Sequence, residues 1–208
     1  MRDRRVWFVL VLVPLVAMVG AAVSTLRSVD GPDPTTPPVS SPPAGTVAVS
    51  SEGEPRYGDL RALVAASDAV VVGEVVAVGP GRLLAAGANR EGIVTRLVRL
   101  SVDEVLAGAD PGAEVIVEEP GWTADGREVV VDGTPASAPG DLGIWFLVRG
   151  ATEEFPHLAV VNAQGRYLVD PADERRFLDV AVRDPLVDRL ERRDPVILRH
   201  EIEQAARG

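Results

Sequence analysis

The chain has 208 residues, 46% of them hydrophobic, with a formal net charge of −10. That length suits one domain of ordinary size with a core, plus accessory segments. It contains no cysteine and no lysine, which excludes disulfides, thiolate catalysis, cysteine-ligated zinc, a lipid-modified cysteine anchor and Schiff-base chemistry.

Residues 1–29 begin with Arg2, Arg4 and Arg5 and continue into an uncharged, largely apolar run from Val6 to Val23 that can be extended without a charge to Leu26. At about 1.5 Å per residue the run spans roughly 27 Å as a helix, close to the ~30 Å hydrocarbon core. The arginines predict a cytoplasmic N terminus, a single pass through residues 6–26, and the rest of the chain on the outer face of the cytoplasmic membrane. The same segment also fits a signal peptide, with Gly20-Ala21-Ala22 as the small residues and cleavage near Ala22, which would give a secreted protein. Both readings export the remainder of the chain. Four arginines against Asp3 in this stretch leave that remainder more acidic than the whole chain. The balance argues against a nucleic-acid partner, whose affinity rests on neutralising phosphates.

Residues 30–56 are rich in Pro, Ser, Thr and Gly with no periodic apolar face, which predicts a disordered linker acting as an extended spacer. The folded domain is expected over residues 57–208. It opens with a short helix over 59–66, capped by Asp59, with Leu60, Leu63 and Val64 on one face. "SDAVVVGEVVAV" (67–78) comes next, as a strand. Val71, Gly73, Val75 and Ala77 share one face, and Val70, Val72, Glu74, Val76 and Val78 the other. Both faces are apolar apart from Glu74, so the strand should be covered on both sides. Gly73 predicts a sharp bend, and Glu74 a solvated edge. "GPGRLLAAG" (79–87) reads as a mobile loop.

Further strands are predicted over 93–106, 114–119, 127–131, 142–149, 157–162, 165–170 and 175–182, separated by Pro-Gly and Asp-Gly turns. This pattern is mainly β and predicts a small, closed or nearly closed antiparallel barrel. Asp184-Pro185 and Asp194-Pro195 each place a capping residue before a proline at the first helical position. The last helix and the helix at 59–66 are the expected outer cover of the 67–78 strand.

The succession "LVAASDAVVVGEVVAV", "LVRLSVDEVLAG", "EVIVEEPGW", "IWFLV" and "NAQGRYLV" resembles a broad group of uncharacterised bacterial proteins, secreted or lipid-anchored and frequent in high-GC Gram-positive species. The resemblance covers about residues 57–170. It implies an OB-like barrel of the netrin/TIMP type with helices packed outside. The cysteines that netrin/TIMP-type inhibitors use are missing here, so protease inhibition does not carry over, and the resemblance transfers no functional residues.

The sequence offers little chemistry. His157 and His200 show no metal-ligand spacing, and no serine sits in a nucleophile-elbow motif. Two acidic stretches remain. Glu118 and Glu119 precede Trp122, which reads as an exposed recognition residue on a loop. Adjacent strand residues point to opposite faces, so the two glutamates cannot form one catalytic pair. Asp125, Glu128 and Asp132 surround the next hairpin and are the metal candidates. Calcium is the cofactor these carboxylates suggest, although it takes six to eight oxygens and this loop offers only a few. Trp145 reads as core. The leading expectation is a non-catalytic domain displayed on the cell envelope that binds a protein or cell-wall component. The competing one is a metal-assisted or carboxylate hydrolase using the acidic 118–132 region.

Overall fold

A computed structural model describes residues 45–49, 54–84, 92–150, 157–179, 182 and 184–208. The predicted span at 6–26 and the cleavage position near Ala22 lie outside them. No helix among the described residues is long and apolar enough to cross a membrane.

Among the described residues nine strands and three helices run in the order β1 (Thr46–Val49), α1 (Leu60–Ala65), β2 (Ala69–Leu84), β3 (Ile93–Gly108), β4 (Glu114–Thr123), β5 (Glu128–Val131), β6 (Leu142–Arg149), β7 (Leu158–Val160), β8 (Arg166–Asp170), β9 (Asp173–Phe177), α2 (Pro185–Glu191) and α3 (Pro195–Arg207). β4, β3, β2 and β6 are successive neighbours across the sheet, and β7 bridges β6 back to β4. The result is a closed five-stranded barrel. Closure removes the free edges that an open sheet of this size would expose.

The strand predicted over 67–78 is buried on both faces, as its composition requires. Val71 and Val75 join Val98, Leu100, Val117 and Trp145 in the barrel interior. Val70 and Val72 face outward, against Leu63 of α1 and Leu198 and Ile202 of α3. Glu74 is exposed. Gly73 pairs with Gly143 on β6. A Cβ at either would come within 2.5 Å of a neighbouring carbonyl oxygen, so both positions need glycine to let strands pass closely. The β2–β3 register shifts between Val72 and Gly73 and again between Val75 and Ala77. Such bulges bend a strand around a small barrel. The second one reverses the alternation, so Val78, expected on the outer face, packs against the interior cluster.

The structure departs from the expected pattern at four other points. Residues 79–84 continue β2 and are not loop, because Gly79 to Leu84 remain in ladder with β3. The last predicted strand, 175–182, is β9 and ends at Phe177. The barrel is not wholly antiparallel: β7 closes onto β4 in parallel, through Val117 and Leu158, and β1 runs parallel to β5. Finally, part of the predicted 30–56 linker is structured, while its residues 30–44 and 50–53 lie outside the described ones. Thr46–Val49, inside the predicted linker, form β1. Pro55, Arg56 and Tyr57 are also fastened to the barrel: Asn162 Nδ2 donates to Pro55 O (2.6 Å), Tyr57 N donates to Gln164 Oε1 (2.8 Å), and Arg56 meets Asp184 at 3.3 Å. A period-based reading finds no strand there, since β1 is only four residues long and flanked by proline-rich sequence.

All three helix caps stand where predicted. Asp59 accepts from Ala62 N at 2.8 Å, Asp184 from Leu186 N at 2.8 Å, and Asp194 from Val196 N at 2.9 Å. Gln164, itself 1% exposed, donates to Asp184 Oδ1 at 3.0 Å. That bond ties the start of α2 to the β7–β8 turn.

Candidate functional site: the charged mouth of the barrel

The interior positions of β3 and β4 pair across the ladder as Leu100 with Val115, Val98 with Val117, and Arg96 with Glu119. Period two therefore carries two charges into the same lining that holds the valines. β8 adds a third: Arg166 lies opposite Trp145 on β6. The side chains of Arg96 and Arg166 are each 3% exposed, and that of Glu119 10%.

Burial of charge is tolerable only with partners, and the cluster supplies them. Arg166 Nη1 lies 3.1 Å from Glu119 Oε2 and Arg96 Nη1 lies 3.8 Å from Glu119 Oε1. Ser137 donates twice to Glu119, from its backbone N at 3.0 Å and from Oγ at 2.9 Å. Arg166 also donates to Ser137 Oγ and to the carbonyl of Pro135. Arg96 Nη2 reaches Glu128 Oε1 at 2.7 Å, and Nη1 reaches Ser137 O at 3.3 Å. The guanidinium carbon of Arg96 sits 4.6 Å from the Trp122 ring centre, and that of Arg166 sits 5.5 Å from the Trp145 ring centre. Both distances suit cation–π attraction. Burial pushes Arg166 below the usual guanidinium range, and the negative charges of Glu119 and Asp141 oppose that shift. Two arginines face two glutamates, so the cluster is balanced.

Beside this cluster lies a cavity of about 260 Å³, lined by Glu118, Glu119 and Arg166 with apolar Val129, Val131 and Pro135. This cavity combines buried charge with an apolar wall.

Of the sequence candidates, Glu118 and Glu119 point to opposite faces as expected. Glu118 is held by Arg82 at 2.8 Å. Burial raises its pKa, but hydrogen bonds from Arg82 and Thr95 outweigh that and leave it below its ordinary value. Trp122 is not an exposed loop residue. It lies half-buried in β4, beneath Arg96. The three metal candidates are dispersed among separate partners. Asp125 bonds to Thr123 Oγ1 and, at 2.8 Å, to Arg127 Nε; those bonds hold its pKa below the ordinary value, led by the Thr123 bond. Glu128 pairs with Arg96, and Asp132 meets Arg56 at 3.5 Å. Among the described residues no three acidic or histidine side chains gather as a metal site.

Sequence reasoning does not single out Arg96, Arg166 or Ser137. A usable signal exists for the two arginines. "TRLVRLSV" puts Arg96 on the face of Val98 and Leu100, and "GRYLVD" puts Arg166 on that of Leu168. Ser137 comes from a loop and has no such signal. Neither a scan against protein-family models nor a search of curated proteins returned a match to this chain.

Proposed function

We propose that the protein is a non-catalytic domain displayed on the outer face of the cytoplasmic membrane, where it binds a protein or cell-wall component. Its barrel is OB-like, of the netrin/TIMP kind, and helices α1 and α3 cover it. Export is supported by the arginines that precede the apolar run at 6–26.

One observation carries the non-catalytic part: every carboxylate of the 118–132 region already answers an arginine. Glu118 pairs with Arg82, Glu119 with Arg166, Asp125 with Arg127, Glu128 with Arg96 and Asp132 with Arg56. General acid–base work needs a group able to exchange a proton with substrate at the working pH, and salt-bridged carboxylates are poorly suited to it. The cavity beside Glu119 is the feature that favours the hydrolase reading. It ranks second, because both oxygens of Glu119 are engaged by Ser137 and the arginines.

Protease added to intact spheroplasts tests the display. The domain should be degraded while cytoplasmic proteins survive; full protection contradicts export. Saturable sedimentation of the purified chain with isolated cell envelopes tests binding, and its absence at every envelope concentration removes that half of the reading.

A further inference from the structure

The cavity beside the charged cluster draws its apolar wall from several parts of the fold. Pro120 comes from β4, Val129 and Val131 from β5, Pro135 from the segment that follows, and Ala159 and Val160 from β7. Pairing of β4 with β5 and of β7 with both β4 and β6 fixes those strands, so the pocket exists before any ligand enters. Its volume of about 260 Å³ lies above the ~150 Å³ that holds benzene and just below the ~300 Å³ at which pockets for drug-sized molecules begin. A fragment somewhat larger than benzene fits.

The lining restricts the chemistry of that fragment in three ways. First, none of the described residues that line the cavity is aromatic. Flat rings and sugars lack a face to stack on, whereas valine, proline and alanine walls suit a branched aliphatic body. Second, the buried charges already have counter-ions. Glu119 meets Arg166 and Arg96, and Glu118 meets Arg82. A ligand anion would face both glutamates and the exposed Glu54, and a ligand cation would compete with an arginine for its carboxylate. A neutral molecule disturbs neither pair. Third, one polar group of the lining is unanswered. Thr134 is fixed by its backbone, which donates to Val131 O at 2.9 Å, yet its Oγ1 is buried and bonds to nothing among the described residues. Buried hydroxyls ordinarily have a partner, and this one can donate or accept.

We infer that this cavity is a binding site for a small uncharged molecule with a branched aliphatic body and one amide or alcohol group, the body against Val129, Val131 and Val160 and the polar end at Thr134. The site goes beyond the display and envelope-binding reading and depends on neither, since no part of it requires export.

The test titrates the full chain with isovaleramide and follows the methyl resonances of Val129, Val131 and Ala159. These should shift saturably, with a Kd of about 1–10 mM for so small a ligand. Isovalerate and isoamylamine, which have the same body and carry a charge, should bind at least about tenfold more weakly. Thr134→Val keeps the shape and removes the hydroxyl, and should weaken isovaleramide by about three- to tenfold. Ala159→Leu fills the cavity and should abolish the shifts. Ala136→Leu fills it from the loop, outside the strand ladders, and serves if the β7 variant does not fold. Shifts that stay absent, that never saturate, or that survive the filled cavity overturn the inference. Isovalerate or isoamylamine binding as tightly as the amide overturns it too, and unchanged affinity in Thr134→Val overturns the placement of the polar end. Tighter binding of blocked glycyl-leucyl-glycine amide assigns the pocket to a side chain of a partner polypeptide and overturns the small-molecule assignment. Spheroplast proteolysis and envelope sedimentation are read separately, so their failure leaves this result standing.

Discussion

Across the β3–β4 ladder the inward pairs run Leu100–Val115, Val98–Val117, Arg96–Glu119, and within three steps the barrel lining changes from apolar to charged. The backbone geometry is the same along that path; the way the lining is stabilised is not. At the apolar end each side chain contributes by leaving water, and neighbours of similar volume can replace one another with small loss. At the charged end each group depends on particular partners. Removing one leaves another buried and unpaired, which costs far more than the net worth of the pair. A barrel can thus be closed at one end by shape and at the other by pairing.

A charge placed at the apolar end should unfold the domain. Val75 is fully buried inside the barrel and Val72 is 2% exposed on the helix-covered face. Val→Asp at either site should remove several kcal/mol from a total of about 5–15 kcal/mol. Circular dichroism and a hydrophobic dye should report loss of the fold for both. Tolerance at Val72 alone would mean that the helical cover contributes little.

A smaller effect concerns Asp184, the buried carboxylate that caps α2. Burial raises its pKa, but bonds from Gln164, the amides of Leu186 and Val187, and Arg56 outweigh that and hold it below the ordinary aspartate value. The stability it contributes is therefore fully present above about pH 4 and is lost as pH falls through the depressed value. Asp184→Ala should cost about 1 kcal/mol near neutral pH, and the difference between variant and parent should shrink in acid. Equal differences at about pH 7 and about pH 2.5 would contradict the cap assignment. The smallest effect belongs to Glu74, exposed on β2 between buried valines. Glu74→Gln should change the urea midpoint by no more than about 0.5 kcal/mol in stability.

The sequence conveyed the apolar half of this comparison better than the charged half. The valines of 69–75 state their two-sided burial directly, and the Asp-Pro pairs state the starts of α2 and α3. The charged mouth was written in the same alternation, since Arg96, Glu119 and Arg166 each continue an inward apolar file. An arginine in a strand reads as solvated unless its partners are known, and those partners are distant in the chain: Glu119 and Arg166 are separated by |i−j| = 47. Ser137, which bonds to both, sits in a loop without periodicity. β1 was illegible for another reason. Its alternation, Thr46-Val47-Ala48-Val49, is only four residues long and too short to establish a period, and the proline-rich stretch before it points the other way.

The Glu119–Arg166 pair closes the mouth of the barrel as a structural unit. A double-mutant cycle on Glu119→Gln and Arg166→Met, read by urea unfolding, measures that coupling. Each single variant should lose about 3–5 kcal/mol, and the double variant should be more stable than the sum of the two losses by at least about 2 kcal/mol. Losses that add to within about 0.5 kcal/mol would contradict the claim, and would return Glu119 to consideration as a group kept for chemistry in the adjoining cavity.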